Sequence, residues 1–510
     1  MENQQLETMP KIPAEKFRFT SVDERLHDQK FSTKPVGYFK DAFRRFVKNK
    51  SSVVAAIIIL ILLLYAIIVP LFCQNDYTRR EIDLERQSFS KLLPKSKLFA
   101  WTGWDGCETT VVNTNQYNIY RAIGVETGRS PVAKLVEQFE EEGSTYYKVS
   151  KDSYANLGMT YKLLSTEDYK SIQAWQKETG IQVIYPAVDV ARISVTSKKT
   201  DANVWYEVNR NGGPQLDAEG NFVSIYLTSG PDDEYDSIRI DGDDGTYKYA
   251  RIAGTSDAPS FNCRINQYAY FQYRYGFEPS FLFGTDASGY DIFVRLAKGA
   301  QFSFMLAIFV SVINLTIGAV YGAIEGYYGG VTDMVMERVS DVLNGVPFMV
   351  VTTLFQLHLA KTVGPVVSLL FAFVLTGWIG MASTVRMQFY RFKNQEYVLA
   401  ARTLGANDWR VIWKHIFPNT LGTIITGSIL VIPGVIFSES SLTYLGIVNL
   451  ESSTITSVGT MLGNGRDYFT SYPHIILFPA LFIALLEISF NLFGNGLRDA
   501  FNPSLRGTEE

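Results

Sequence analysis

Few residues in this chain have the type and spacing that catalysis needs. Four histidines, His27, His358, His415 and His474, are scattered through a polar tail, an apolar run and two loops. No imidazole pair therefore stands at acid–base or metal-ligand spacing. The sequence has no Gly-x-x-x-x-Gly-Lys-[Ser/Thr] phosphate loop, no His-Glu-x-x-His and no Cys-x-x-Cys. If ATP drives this protein, another chain must bind it. Of three cysteines, Cys73 follows an apolar run, and Cys107 and Cys263 either pair as a disulfide or stay free thiols. The run Asp232, Asp233, Glu234, Asp236, Asp241, Asp243, Asp244 has the charge of a calcium loop, but Ile252 stands where the loop's twelfth-position Glu belongs. A solvated acidic turn is the expectation. Glu487, in LFIALLEISF, is costly in an apolar run unless it faces protein or water. It belongs either to a substrate pathway or gate, or to a structural role with a hydrogen-bonded or protonated carboxyl. Glu325 and Glu439 are expected near the ends of apolar runs, within reach of water.

The elements that hold these groups divide the chain sharply. Over 510 residues the net charge is −4 and the mean hydropathy +0.03, values of a soluble protein. Residues 76–280, however, hold 29 acids and 23 bases, a net of −6, and the remainder is membrane-like. Ser51 to Phe72 is free of charge over 22 residues and reaches about 33 Å as a helix, enough to cross a ~30 Å hydrocarbon layer. Some 50 residues precede it and no small-residue cleavage site follows, so it reads as an anchor and not a cleaved signal. Further spans are predicted at 301–326, 343–360, 366–384, 420–438 and 475–494, the third span of the six being interrupted by Gly345, Pro347 and His358. Lys34, Lys40, Arg44, Arg45, Lys48 and Lys50 precede the first span, and Arg386, Arg391, Lys393, Arg402, Arg410 and Lys414 fill the loop 385–419. The short loops on the other side offer only Lys361 and Arg466. Both termini and the loop 385–419 are thus expected on the cytoplasmic side, with 73–300 outside. The loop 327–342 fits less well, since Arg338 is its one basic residue.

The first 35 residues are polar, without apolar period, and read as a disordered tail. Phe39 to Lys50 reads either as an amphipathic helix on the inner membrane surface, aromatics in lipid and cations on headgroups, or as a plain cytoplasmic extension of the first span. The block 76–280 reads as an α+β domain. Strands are predicted at 181–188, 191–197, 203–208 and 222–229, and helices at 131–142 and 166–178, the latter opened by Ser165 and Asp168 at capping-box spacing.

The most informative stretch is EYVLAARTLGANDWRVIWKHIFPN, 396–419. It reads as a helix, a bend at Gly405, then a second amphipathic stretch with Pro418 setting the start of the next span. Small residues at such a bend let a partner surface approach closely; the plainer reading is a turn packed on the chain's own loops. The segment resembles the cytoplasmic "EAA" loop of ABC importer permeases, with Ala400, Ala401, Gly405, Ile416 and Pro418 at matching positions. The acid usually found before the two alanines is replaced by Leu399, and Glu396 lies one turn earlier. FGTDASGYDIFVRLAKGAQFS (283–303), ESSLTYLGI (439–447), FNLFGNGLRDAFNP (490–503) and YYGGVTD (327–333) are similar to segments of the oligopeptide/dipeptide permeases, C-type subunit, although Tyr290 replaces an Arg and Asn495 an Asp. The resemblance covers about 35–72 and 281–505; the block 76–280 lies outside it.

That resemblance implies an α-helical polytopic membrane protein, six transmembrane helices in the type I ABC importer permease fold, with the α+β domain inserted on the extracytoplasmic side. It implies a coupling loop containing Glu396, Ala400, Ala401, Gly405, Ala406, Asp408 and Pro418. It also implies a bacterial cytoplasmic membrane location with both termini inside. The partners would be a homologous second permease, two cytoplasmic ATP-binding subunits and an extracytoplasmic peptide-binding protein, with no nucleic acid. The chain would hold no cofactor, ATP being bound by the partner subunits. An importer of nickel or glutathione is a variant of this reading. A membrane sensor would need an internal output domain, and a membrane enzyme a catalytic constellation; neither is in the sequence. The orientation has a direct check. Single cysteines at positions 20, 408 and 505 are expected to resist an impermeant thiol reagent in intact cells while one at 215 reacts, and labelling at 408 would overturn it.

Overall fold

The structure is a computed structural model that describes residues 38–73, 89–228, 247–255, 258–451 and 455–501. The acidic run 232–244 and the N-terminal tail lie outside the described residues.

Helix α1 (Tyr38–Lys48) and helix α2 (Lys50–Phe72) are separated at Asn49, whose side chain caps α2 by accepting from the Ser52 amide. The two are therefore not one continuous helix. Nor does α1 keep all its aromatics for lipid: Phe46 is buried against Phe493, the rings 5.3 Å apart, while Phe43 stays exposed.

The inserted region carries two sheets. Strands β1 (Cys107–Asn113), β2 (Val132–Glu141) and β3 (Ser144–Asp152) form an antiparallel sheet in the order β1-β3-β2. Helix α3 (Thr114–Thr127) stacks Tyr117 on Tyr147 of β3 at 4.2 Å. Strand β4 (Met159–Ser165), helix α4 (Thr166–Thr179) and strands β5 (Ile184–Tyr185), β6 (Ala250–Thr255) and β7 (Ala258–Asn266) build the second, in which β7 pairs with β4, β5 and β6. The helix expected at 166–178 is α4, and Ser165 caps it by accepting from the Asp168 amide. The helix expected at 131–142 is instead strand β2. Its apolar residues are spaced helically, but pairing with β3 supplies a partner that local spacing cannot reveal. Of the four expected strands, 181–188 keeps only β5, and 203–208 and 222–229 make isolated bridges such as Tyr206 with Ser224. Residues 191–197 contain the ends of two 3₁₀ turns, at Val190–Arg192 and Thr196–Lys198, the first capped by Asp189. Cys107 and Cys263 lie in different sheets and all three cysteines are free.

Helix α5 (Gln267–Tyr275) leads back to the membrane bundle. There the two ends of the insertion lie side by side: Leu92 exchanges backbone and side-chain hydrogen bonds with Thr285, and Lys95 N donates to Phe281 O. The bundle consists of α6 (Ile292–Tyr328), α7 (Gly330–Asn344), α8 (Phe348–His358), α9 (Pro365–Phe392), α10 (Glu396–Thr403), α11 (Asp408–Tyr444), α12 (Val458–Gly465) and α13 (His474–Phe501). Among the described residues five helices, α2, α6, α9, α11 and α13, are long and apolar enough to cross a membrane. The segment expected to span at 343–360 does not reach as one helix. Gly345, Val346 and Pro347 break it, leaving the 11-residue α8, about 17 Å long. The loop expected at 327–342 is mostly α7.

α6 and α9 form the closest pair in the bundle. Gly318, Gly322 and Gly326 fall one turn apart on α6, and a Cβ on each would come within 2.2–2.7 Å of Trp378 O, Ala382 O and Phe389 Cβ respectively. Only backbone against backbone fits there, the small-residue packing common in membrane helices.

The inserted domain is fixed by a buried ion pair. Arg264 of β7 is fully buried and meets Glu126 of α3 at 2.8 Å, while donating to Ala202 O and Pro186 O. The neighbouring Cys263 is buried as well, and burial pushes its thiol up to about 12. Glu126→Ala leaves Arg264 uncompensated and is expected to cost about 3–5 kcal/mol. The readout is the maleimide labelling rate of Cys263 in the full chain, which should rise from near zero; an unchanged rate would show that Glu126 is not what holds the domain closed.

Candidate functional site

The segment singled out in the sequence forms a helix–bend–helix at the end of the bundle opposite the insertion. α10 ends in a Schellman turn: Ala406 N donates to Ala401 O and Gly405 N to Arg402 O, with Gly405 in the left-handed region at φ +84°. Asn407 then caps α11 by accepting from the Arg410 amide. A π-helical turn at Val411–Ile416 precedes Pro418, so the helix absorbs a residue lacking an N–H and runs on into the membrane. Pro418 does not mark where a span begins, as the sequence led us to expect; the second half of the segment 396–419 and the span are one helix, α11.

One side of this unit packs inward: Val398, Ala401, Val411, Ile412 and Ile416 are buried against Phe389 and its neighbours. The other side faces out. Ala400, Gly405 and Pro418 are exposed, Ala406 half-buried, and Glu396 exposed in the first turn of α10. Leu404 is 88% and Trp409 70% exposed, and Leu399 and Tyr397 are exposed beside them. A Cβ at Gly405 would meet nothing within 4 Å. Small and apolar groups thus form an open surface, of a kind that marks contact with another protein.

The sequence reading missed what ties this surface to the bundle. The Tyr327 hydroxyl at the end of α6 donates to Asp408 Oδ1 at 2.6 Å, and the Arg402 guanidinium lies 5.0 Å over the Tyr327 ring. Next to it Arg386 of α9 binds Asp333 (2.6 Å) and Glu337 (2.5 Å) of α7, with Glu325 of α6 at 3.7 Å. Arg386, with help from the Tyr390 hydroxyl, holds the Asp333 carboxyl below its usual range. Asp333 was legible only as part of YYGGVTD, and Arg386 only as a loop charge.

Two other carboxylates are corrected by the structure. Glu325 and Glu439 do not lie open at span ends: each is about 97–99% buried, Glu325 on the wall of a polar cavity shared with Glu337, Asp341 and Arg386. Glu439 accepts from the hydroxyls of Ser457 (2.6 Å), Ser303 (3.2 Å) and Thr443 (3.2 Å), which joins α11, α6 and the start of α12. Glu487 of α13 is half-buried, and no side chain among the described residues bonds its carboxylate. At the insertion's end of the bundle, Arg295 pairs with Asp286 and, at 2.6 Å, with Glu451, in a polar cleft that Asn464, Asp467 and Tyr468 complete.

Against this geometry the comparisons are consistent. Residues 315–507 match the binding-protein-dependent transport system inner membrane component family, and residues 37–94 the N-terminal TM domain of oligopeptide transport permease C. The chain is 43% identical over 224 residues to the oligopeptide transport system permease protein OppC of Bacillus subtilis, covering 44% of this chain and 72% of that one. It is 40% identical over 225 residues to the dipeptide transport system permease protein DppC of the same organism, covering 44% and 69%. A solved structure of the MetNI methionine ABC transporter, inward facing, aligns with 41% of this chain and 96% of its own at a TM-score of 0.33 and 13% identity. The alignments are shorter than the chain because the inserted sheets separate its two matching parts. This chain belongs to the oligopeptide/dipeptide permease branch of the binding-protein-dependent ABC importer membrane components.

Proposed function

We propose that this chain forms half of the translocation pathway of an ATP-binding-cassette importer for oligopeptides or dipeptides, and that it binds no ATP itself. A homologous permease supplies the other half, two cytoplasmic ATP-binding subunits drive it, and an extracytoplasmic peptide-binding protein delivers cargo. The observation that carries this reading is the open rim of Leu404, Gly405 and Trp409 around the α10–α11 bend. ATPase subunits closing on that rim would push on α6 through Asp408 and Tyr327, and the same motion reaches α9 through the adjoining Arg386 cluster. The peptide cargo is supported by relatives named for oligopeptide and dipeptide transport at 43% and 40% identity, against 32% for one named for glutathione. The inserted domain stands beside the entrance, where Lys91 lies 4.6 Å over the Tyr468 ring, and it is the surface an arriving binding protein meets.

Gly405→Asp tests the rim. The side chain has space, so the fold loses only about 1 kcal/mol to the left-handed backbone. A charge pressed into an apolar contact is far more costly. The variant is expected to insert normally yet lose ATPase association and peptide-stimulated hydrolysis; full transport would put the docking surface elsewhere. Glu487 is proposed as a group on the pathway side of α13. Glu487→Gln preserves its shape, so uptake should fall by less than about tenfold, roughly 1.4 kcal/mol. Abolished uptake in a complex that still assembles would make the ionised carboxylate part of the gate.

A further inference from the structure

The turn 97–102 of the insertion carries an apolar group that nothing among the described residues covers. Leu98 is 80% exposed, Trp101 84% and Phe99 44%, with Lys97 exposed just before them. On a water-facing turn this is an unfavourable composition. Its depth explains it. Ring contacts step outward from the bundle: Tyr65 of α2 to Phe293 (5.1 Å), Phe293 to Phe283 (5.2 Å), Phe283 to Phe478 of α13 (4.0 Å), Phe478 to Trp104 (5.7 Å), and Trp104 to Phe99 (5.6 Å).

Both helices give that ladder a height. Tyr65 lies seven residues, about 10 Å, before the end of α2 at Phe72. Phe478 lies four residues, about 6 Å, inside the start of α13. Above Tyr65, α2 still exposes Ile67, Leu71 and Phe72, so the lipid-facing surface continues to that height. The turn 97–102 is held through Trp104, whose ring lies 5.7 Å from Phe478 and 5.6 Å from Phe99, one ring beyond the α13 end of the ladder. Trp at the boundary of headgroups and acyl chains, with a Lys reaching the phosphates, is the arrangement a bilayer favours.

We propose that the turn Lys97–Thr102 inserts into the membrane leaflet on the inserted domain's side, with Leu98 and Trp101 among the upper acyl carbons and Lys97 at the lipid phosphates. The insertion is then held at the entrance by lipid as well as by its junction with residues 281–286, which restricts how far it can tilt from the pore. The proposal does not depend on what cargo is carried.

The test uses the full chain in its assembled transporter, in nanodiscs of phosphatidylcholine with or without bromine on the upper acyl carbons. Subtracting the emission of Trp101→Phe from that of the wild type isolates Trp101, and a change at so exposed a position leaves the fold intact. The expected result is blue-shifted Trp101 emission that the brominated lipid quenches. Absence of that quenching overturns the proposal, whether aqueous iodide then reaches the residue, placing it in water, or neither quencher does, placing it under a protein partner.

Discussion

The approach of α6 to α9 is the constraint from which much of this bundle follows. Gly318, Gly322 and Gly326 let the two backbones meet with no side chain between them. That contact brings Glu325 within 3.7 Å of Arg386, and Arg386 in turn recruits Asp333 and Glu337 from α7. In a medium without water such charges are stable only when gathered together. A wider helix separation would move the buried Glu325 away from Arg386.

α6 also joins the two ends of the molecule. At 37 residues it is about 55 Å long. Its first turn holds Arg295, paired with Asp286 beside the inserted domain, and its last holds Tyr327, bonded to Asp408 of the α10–α11 unit. Because this helix also packs backbone to backbone on α9, the Asp408 contact and the Arg295 pair are joined through one continuous element. At the bend beside it, a Cβ on Gly405 would meet nothing within 4 Å, so that point of the surface stays open.

What could be read from the sequence was what depends on neighbours along the chain. The Ser165 cap, the Gly405 bend and the apolar runs are local, and each was recognisable. Strand β2 was not, since VAKLVEQFEE becomes a strand only by pairing with β3. The glycines of α6 are equally plain in the sequence, but their meaning depends on which helix lies opposite. Glu439 was assigned to water because its span was drawn to end at 438; Glu325 already lay inside the predicted span 301–326, near its end, and what the sequence hid was the helix opposite it. α6 runs to Tyr328 and α11 to Tyr444, which puts both carboxylates inside, where Arg386 and three hydroxyls satisfy them.

The two span carboxylates Glu439 and Glu487 then make an instructive pair. The first is enclosed by hydroxyls from three elements and serves to hold them together. The second is half-buried on α13, with no bond to its carboxylate from any described side chain, on a helix whose Leu481, Leu485 and Ile488 are exposed. A carboxylate left alone in hydrocarbon costs several kcal/mol. Glu487 is therefore tolerated only where water, a second polypeptide or protonation of the carboxyl offsets that cost. The apolar exposure of α2, which has no such group, has lipid as its natural cover.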